Sequence, residues 1–284
     1  MKNLLSWKIQ ITAILACILA FSFNAQAADM GKVINLAGKQ RMLTQKMSKE
    51  ALLVAKGIDV NQNKANLQKT AALFDKTLKG LINGDADLGL PKTEDPAILA
   101  QLNKVSGLWA AFRPSIESAA AGDTNKEVLG KIATGNLPLL VEMNKAVKMY
   151  EKAASSTLSA GMAKTINLAG KQRMLTQKMT KELLLVANGI AVDGNKANLA
   201  KTVALFDKTL KGLLEGDADL GLPKTEDAAI RAQLGTVQKL WAEYQPIVAK
   251  ADTSDVALQK AAQLNLPLLK EMNKVVGMYA KSAK

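Results

Sequence analysis

The chain has 284 residues, with 38 Lys and Arg against 25 Asp and Glu, a single Cys and no His. Without His, the commonest general base, proton shuttle and zinc ligand is missing, and one Cys cannot close a disulfide within the chain. Aromatic residues make up 4%, too few to build the stacking platforms that hold single-stranded nucleic acid. Residue supply therefore argues against an enzyme and against structural metal, and it implies no cofactor.

Lys2 and Lys8 precede an apolar run from Ile9 to Phe23 that closes on Asn24-Ala25-Gln26-Ala27-Ala28. A basic start, a short apolar core and Ala-x-Ala form the pattern of a cleaved secretory leader. Ile14-Leu15-Ala16-Cys17 could be read as a lipoprotein box, but the apolar core continues past Cys17. Cleavage after Ala27 is the expectation, which makes residues 1–27 a signal peptide and places the mature protein in the periplasm. Losing two Lys and no acid takes the net charge from +13 to +11. Such a surplus suits anionic partners, although dispersed Lys is more often a solvated surface. The chain ends at Lys284 without a segment that reads as a signalling output.

An internal repeat dominates the chain beyond the leader. The 14 residues Ile34-Asn-Leu-Ala-Gly-Lys-Gln-Arg-Met-Leu-Thr-Gln-Lys-Met47 recur unchanged at Ile166 to Met179. Ala72–Leu81 matches Ala204–Leu213, Gly84–Asp95 matches Gly216–Asp227, and Trp109 matches Trp241. Later, Asn136–Leu140 matches Asn265–Leu269 and Tyr150 matches Tyr279, the second copy having lost three residues after Pro246. The units are expected over 28–155 and 156–284, each the size of an ordinary domain.

Punctuation predicts four helices per unit. The first runs from about Met30 to Lys56 and the second from about Asn63 to Asn83. The third begins with Thr93 as N-cap and ends near Ala120, and the fourth reaches about Lys152, kinked or divided at Pro138. No run alternates with the period of two that strands require. The fold class is all-α: two tandem up-down-up-down four-helix bundles.

On a wheel of 100° per residue, Ile34, Ala37, Gly38, Thr44, Gln45, Ser48 and Leu52 fall within 60° of Arg41. A separate stripe of Val33, Leu36, Leu43, Met47 and Val54 is the apolar seam that packs on the unit's own helices. The Arg41 stripe is small and polar and holds no acid. Arg173 has the same surroundings in Ala169, Gly170, Thr176, Gln177 and Thr180. Only Arg41, Arg113, Arg173 and Arg231 among the 38 basic residues are Arg. Two of them in identical frames suggest a need for planar, forked donors, which match nitrate, nitrite or a carboxylate. The competing reading is that each Arg pairs with an acid on another helix or caps backbone carbonyls.

The segment Ile-Asn-x-Ala-Gly-x-x-Arg-Met at the start of a first helix resembles the signature of PilJ-type and nitrate-sensor (NarX/NarQ-type) periplasmic domains. The likeness runs through Leu-Phe-Asp-x-Thr-Leu, Gly-Leu-Pro, and the stretches Ala97–Trp109 and Ala228–Trp241. It covers nearly all of the chain beyond the leader, twice. The resemblance implies four-helix bundles in which the signature Arg of two parallel first helices, with nearby glycine backbone, hold the anion. By position these are Arg41 and Arg173 with Gly38 and Gly170. Asn35 and Asn167 in the signature, and Ala37, Ala169, Gln45 and Gln177 on the same stripe, complete the candidate set. The Met-Leu-Thr-Gln-Lys-Met after each Arg is closer to the pilus chemoreceptor branch, which leaves the identity of the ligand open.

The connector Ala153–Gly161 decides how a site forms. If it is short and flexible, the second unit's first helix starts beside and parallel to the first, and one chain supplies both halves. If it is helical, the units stack end to end and a homodimer is needed. Ser155-Ser156-Thr157 and Gly161 favour the first arrangement.

Weaker signals have ordinary readings. Asp85-Ala-Asp-Leu-Gly89 lacks the acids of a calcium loop and reads as a Gly- and Pro-set turn. Met42, Met47, Met143 and Met149 fall at helical spacing and read as core, not copper ligands. Trp109 and Trp241 read as core, with the groove between units as the other placement. No helix-turn-helix or aromatic-basic pattern supports nucleic acid. The expectation is an exported protein that binds nitrate or nitrite between its two first helices and signals to a membrane-bound sensor, chemoreceptor or transporter. The alternative is an interaction module for type IV pilus or chemoreceptor components, with the Arg face as a helix-docking surface.

Overall fold

The computed structural model describes residues 30–154 and 158–283; the leader and Ser155-Ser156-Thr157 lie outside the described residues. Among the described residues eight helices run in chain order: α1 (30–55), α2 (Val60–Asn83), α3 (Pro96–Ala121), α4 (Lys126–Ala153), α5 (Ala160–Ala187), α6 (Val192–Glu215), α7 (Ala228–Ala249) and α8 (Asp255–Ser282). The extended pairing among the described residues is confined to two isolated bridges, Asp85 with Leu90 and Asp217 with Leu222. None of these helices is long and apolar enough to cross a membrane.

Local chemistry explains where the helices begin. Asp95 caps α3 by accepting from the Ala97 and Ile98 amides at 2.8 and 3.0 Å, with Pro96 at the first helical position. This corrects the assignment of Thr93. Its hydroxyl donates to the Leu81 carbonyl at 2.6 Å and meets the Tyr150 hydroxyl, tying the α2–α3 loop to α4. Asn125, Ser159, Asp227 and Ser254 cap α4, α5, α7 and α8 in the same way as Asp95. The Asp85–Leu90 turn needs Gly84 and Gly89 at φ of 84° and 57°, and the Asp85 carboxylate accepts from the Leu88 amide at 2.9 Å.

Pro138 does not divide α4, which runs unbroken from Lys126 to Ala153, as α8 runs through Pro267. Both prolines are exposed, and so are Thr134 and Gln263 four residues earlier. The carbonyl that each ring deprives of a partner therefore faces water, which removes most of the penalty.

Each Trp lies in the core of its own bundle. Trp109 packs at a tilt against Phe74 with ring centroids 4.8 Å apart and donates to Asp75, and Trp241 repeats the arrangement with Phe206 and Asp207. Met42, Met47 and Met143 are buried core residues, as are Met174, Met179 and Met272.

The placement of α1 against α5 organises everything else. Contacts climb both helices together: Gly31 lies near Ile166, Gly38 near Arg173, and Lys49 reaches Asn265, which is itself bonded to Thr176 and Thr180. The two helices therefore run parallel and side by side. Within each bundle α4 and α8 run opposite to them, since Arg41 and Gln45 meet Asn144 and Asn136 in reverse order, as Arg173 and Gln177 meet Asn273 and Asn265. Both stripes of α1 are consequently buried almost throughout: of the polar one, Gly38 and Arg41 face α5 of the second unit, while Thr44, Gln45 and Ser48 meet Asn136 on α4.

Candidate functional site

Arg41 and Arg173 project from the centres of α1 and α5, and only 1% and 2% of their surface is exposed. Helical side chains lean toward the N-terminus, so each guanidinium reaches back about one turn to the level of the glycines. A Cβ placed on Gly38 would lie 3.3 Å from Nη2 of Arg41 and 3.5 Å from Nη2 of Arg173. A Cβ on Gly170 would meet the same two atoms at 3.5 and 3.3 Å. The two cations thus converge on the space that these glycines leave.

Their partners are neutral. Nη2 of Arg41 donates to the Asn167 carbonyl at 3.1 Å and Nη1 to Oδ1 of Asn144 at 2.8 Å. Nη2 of Arg173 donates to the Asn35 carbonyl at 2.9 Å, while Nη1 serves Oδ1 of Asn35 at 2.8 Å and of Asn273 at 3.3 Å. Each arginine therefore crosses to the first helix of the other unit. Neither forms a salt bridge among the described residues, and the buried Nε of both has no hydrogen-bond partner. Of the two structural alternatives to a ligand, capping of backbone carbonyls is therefore present and pairing with an acid is not.

Burial disfavours both charges and holds both guanidinium pKa values below the ordinary range. For Arg173 the charge of Arg41 pushes in the same direction, whereas Glu151 offsets part of the effect on Arg41. Lys39 and Lys171 are also pushed down by burial, then by the positive charge of Arg173 and Arg41 respectively. This is a centre of positive potential in low-dielectric surroundings, where an anion would be strongly attracted.

The structure brings six of the ten predicted residues together: Arg41, Arg173, Gly38, Gly170, Asn35 and Asn167. Ala37 and Ala169 supply only buried methyl groups beside them. Gln45 and Gln177 belong to a separate layer. Their Nε2 atoms donate to Oδ1 of Asn136 and Asn265 at 2.9 and 2.8 Å.

That layer holds a second buried basic pair. Nζ of Lys49 reaches Asn265 of the other unit at 2.9 Å, and Nζ of Lys181 reaches Asn136 at 3.2 Å. Burial lowers both amine pKa values to about 8, partly offset by Glu50 and Glu182. Those glutamates are bonded instead to Lys46 with Thr70 and to Lys178 with Thr202.

Sequence reasoning missed Asn144 and Asn273, although both sit in a repeated Met-Asn-Lys. It also missed Lys49, which falls about 80° from Arg41 on the wheel, just outside the sector considered. Glu151 carries no repeat signal, because its counterpart is Ala280.

The family model described as "Type IV pili methyl-accepting chemotaxis transducer N-term", PilJ, matches residues 23–134 and again 155–266. The chain belongs to the PilJ family. Two Pseudomonas aeruginosa proteins are similar to it. The methyl-accepting chemotaxis protein McpN is 32% identical over 121 residues, 42% of this chain and 22% of McpN. The protein PilJ is 25% identical over 241 residues, 81% of this chain and 34% of PilJ. This PilJ-family chain thus spans about a third or less of the curated relatives it matches. The solved ligand-binding domain of the P. aeruginosa nitrate receptor McpN is 31% identical, covering 43% of this chain and 96% of that domain, with a TM-score of 0.38.

Proposed function

We propose that this PilJ-family protein is a periplasmic, non-enzymatic sensor protein. It holds one small planar anion, nitrate or nitrite, between Arg41 and Arg173 and passes the binding event to a membrane-bound chemoreceptor, sensor or transporter. The observation that carries the reading is the pair of buried guanidinium groups that converge on Gly38 and Gly170 without a salt bridge among the described residues. Two buried cations whose partners are only neutral oxygens are costly, and a bound anion offsets that cost. Planar donors on two sides match a planar oxyanion. McpN, a relative of this chain, is named as a nitrate receptor.

The two arginines come from parallel helices of one chain, so the expected stoichiometry is one ion per chain. Four heavy atoms at a ceiling of about 1.5 kcal/mol each give roughly 6 kcal/mol, a Kd of the order of tens of micromolar. Isothermal titration with nitrate, nitrite and chloride tests this. Nitrate should bind in that range, and the Arg41→Ala plus Arg173→Ala variant should lose binding at least about 100-fold, the worth of two charge-assisted contacts. Arg41→Lys with Arg173→Lys, which keeps the charge but not the fork, should be weakened about tenfold or more. The absence of both binding heat and thermal stabilisation with millimolar concentrations of every one of these ions would sink the anion reading. The Arg stripe would then stand as a helix-packing surface.

A further inference from the structure

The pseudo-twofold symmetry of the arginine layer is broken by one acid. Glu151 on α4 accepts a hydrogen bond from Nδ2 of Asn167, whose backbone carbonyl accepts from Arg41. The matching position on α8 is Ala280. On that side no acid meets the Asn35 amide among the described residues, and its Oδ1 accepts from Arg173 at 2.8 Å. The equivalent Oδ1 of Asn167 is buried and has no partner. The two arginines therefore sit in different fields: Arg41 feels the carboxylate of Glu151, and Arg173 feels Arg41. Glu151 itself is half-buried, on the wall of a groove between α4 and α5 that Lys148, Lys152, Lys164 and Lys171 also line.

We propose that Glu151 sets the charge of the anion that the arginine layer accepts: its carboxylate lowers the positive potential between Arg41 and Arg173, so that the site takes a monoanion and rejects dianions such as sulfate. This inference rests on the anion-binding reading above and adds the charge class of the ligand. Its logic is electrostatic. A change of potential acts once on a monoanion and twice on a dianion, whereas the cost of dehydrating each ion is the same in every variant. A carboxylate in hydrogen-bonded contact with the shell of a buried guanidinium changes the affinity for a monoanion by about tenfold. The same change of potential alters the affinity for a dianion by roughly the square of that factor, about 100-fold.

Calorimetric titration of the wild-type chain, Glu151→Gln and Glu151→Ala with nitrate and with sulfate tests the assignment. Gln retains an oxygen for the Asn167 amide and removes the charge, and the partly exposed position tolerates both changes. Melting curves taken alongside verify folding. Nitrate should bind about tenfold more tightly to both variants, and sulfate should gain by roughly the square of the nitrate factor. Equal gains for the two ions, or a gain in Glu151→Ala alone, would overturn the charge role while leaving the anion site standing. Binding of neither ion to any of the three proteins would overturn the anion reading itself, and this inference with it.

Discussion

Two layers of basic side chains cross the seam between α1 and α5, and they meet their surroundings differently. In the lysine layer, Lys49 and Lys181 each end on one asparagine oxygen that a glutamine of the other unit already shares. Each ammonium closes a network and has no glycine beside it. In the arginine layer, the forked donors stop at backbone carbonyls and amide oxygens on either side of two glycines, and each Nε has no partner. The same helices and the same pseudo-symmetry thus produce one layer whose basic groups close a network across the bundles and another whose guanidinium groups each keep an unpaired Nε among the described residues. Residue type makes the difference, because Lys is a point charge and Arg a rigid planar fork.

The comparison can be broken most sharply at the glycines. Gly38→Ala with Gly170→Ala puts methyl groups about 3.3 Å from the guanidinium nitrogens. Nitrate affinity should fall about tenfold or more, while the fold gains from replacing two helical glycines, worth up to about 1 kcal/mol each. Titration and melting together separate the two effects. A loss of stability with binding unchanged would place the glycines in packing alone.

The lysine layer should show itself in the pH dependence of stability. Lys49 and Lys181 shed their protons near pH 8 in the folded protein, whereas an unfolded lysine holds its proton to about 10.4. The unfolded chain then binds more protons between these values. The cost of the two buried charges is thus fully present below pH 8 and is relieved as pH rises. Denaturation between pH 7.5 and 9.5 should show stability rising by about 4 kcal/mol, about 2 for each lysine. Lys49→Met with Lys181→Met should remove most of that rise, leaving the part due to the buried arginines, and leave nitrate affinity within about twofold, because the two layers share no partner. An unchanged slope would remove the lysines from this role.

The smallest expected effect tests a difference between the units. Tyr244 replaces Phe112 of the first unit, and its hydroxyl meets Thr180 at 2.6 Å beside Asn265. Tyr244→Phe should cost about 1 kcal/mol in chemical denaturation, the worth of one buried neutral hydrogen bond. No measurable cost would mean that Thr180 is satisfied by Asn265 alone.

Much of this architecture is legible along the chain. The repeat, the absence of strands, the eight helices and the acid-free stripe around each arginine come from periodicity and punctuation. Six of the ten candidate residues meet at one place because they lie within seven positions of each other in each frame, and a helix keeps such neighbours together. The errors are equally informative. Thr93 resembles a cap in isolation, but Asp95 stands immediately before the helix-starting Pro96 and takes the role, leaving Thr93 to Leu81 and Tyr150. Pro138 reads as a kink or a division, yet α4 runs on through it with Pro138 and Thr134 on its exposed face, where an unpaired carbonyl costs little.

What the sequence by itself determined is therefore the set of helices and the frames that carry Arg41 and Arg173, since helix formation and repetition are properties of neighbouring residues. Only the tertiary structure decided what surrounds those frames. Asn144 reaches Arg41 from 103 residues away, Asn35 reaches Arg173 from 138, and Glu151 stands beside Asn167 because α4 packs next to α5. The burial of Lys49 and Lys181 has the same origin. A lysine's place in core or solvent depends on which helix covers it, and here the covering helices belong to the other copy of the repeat.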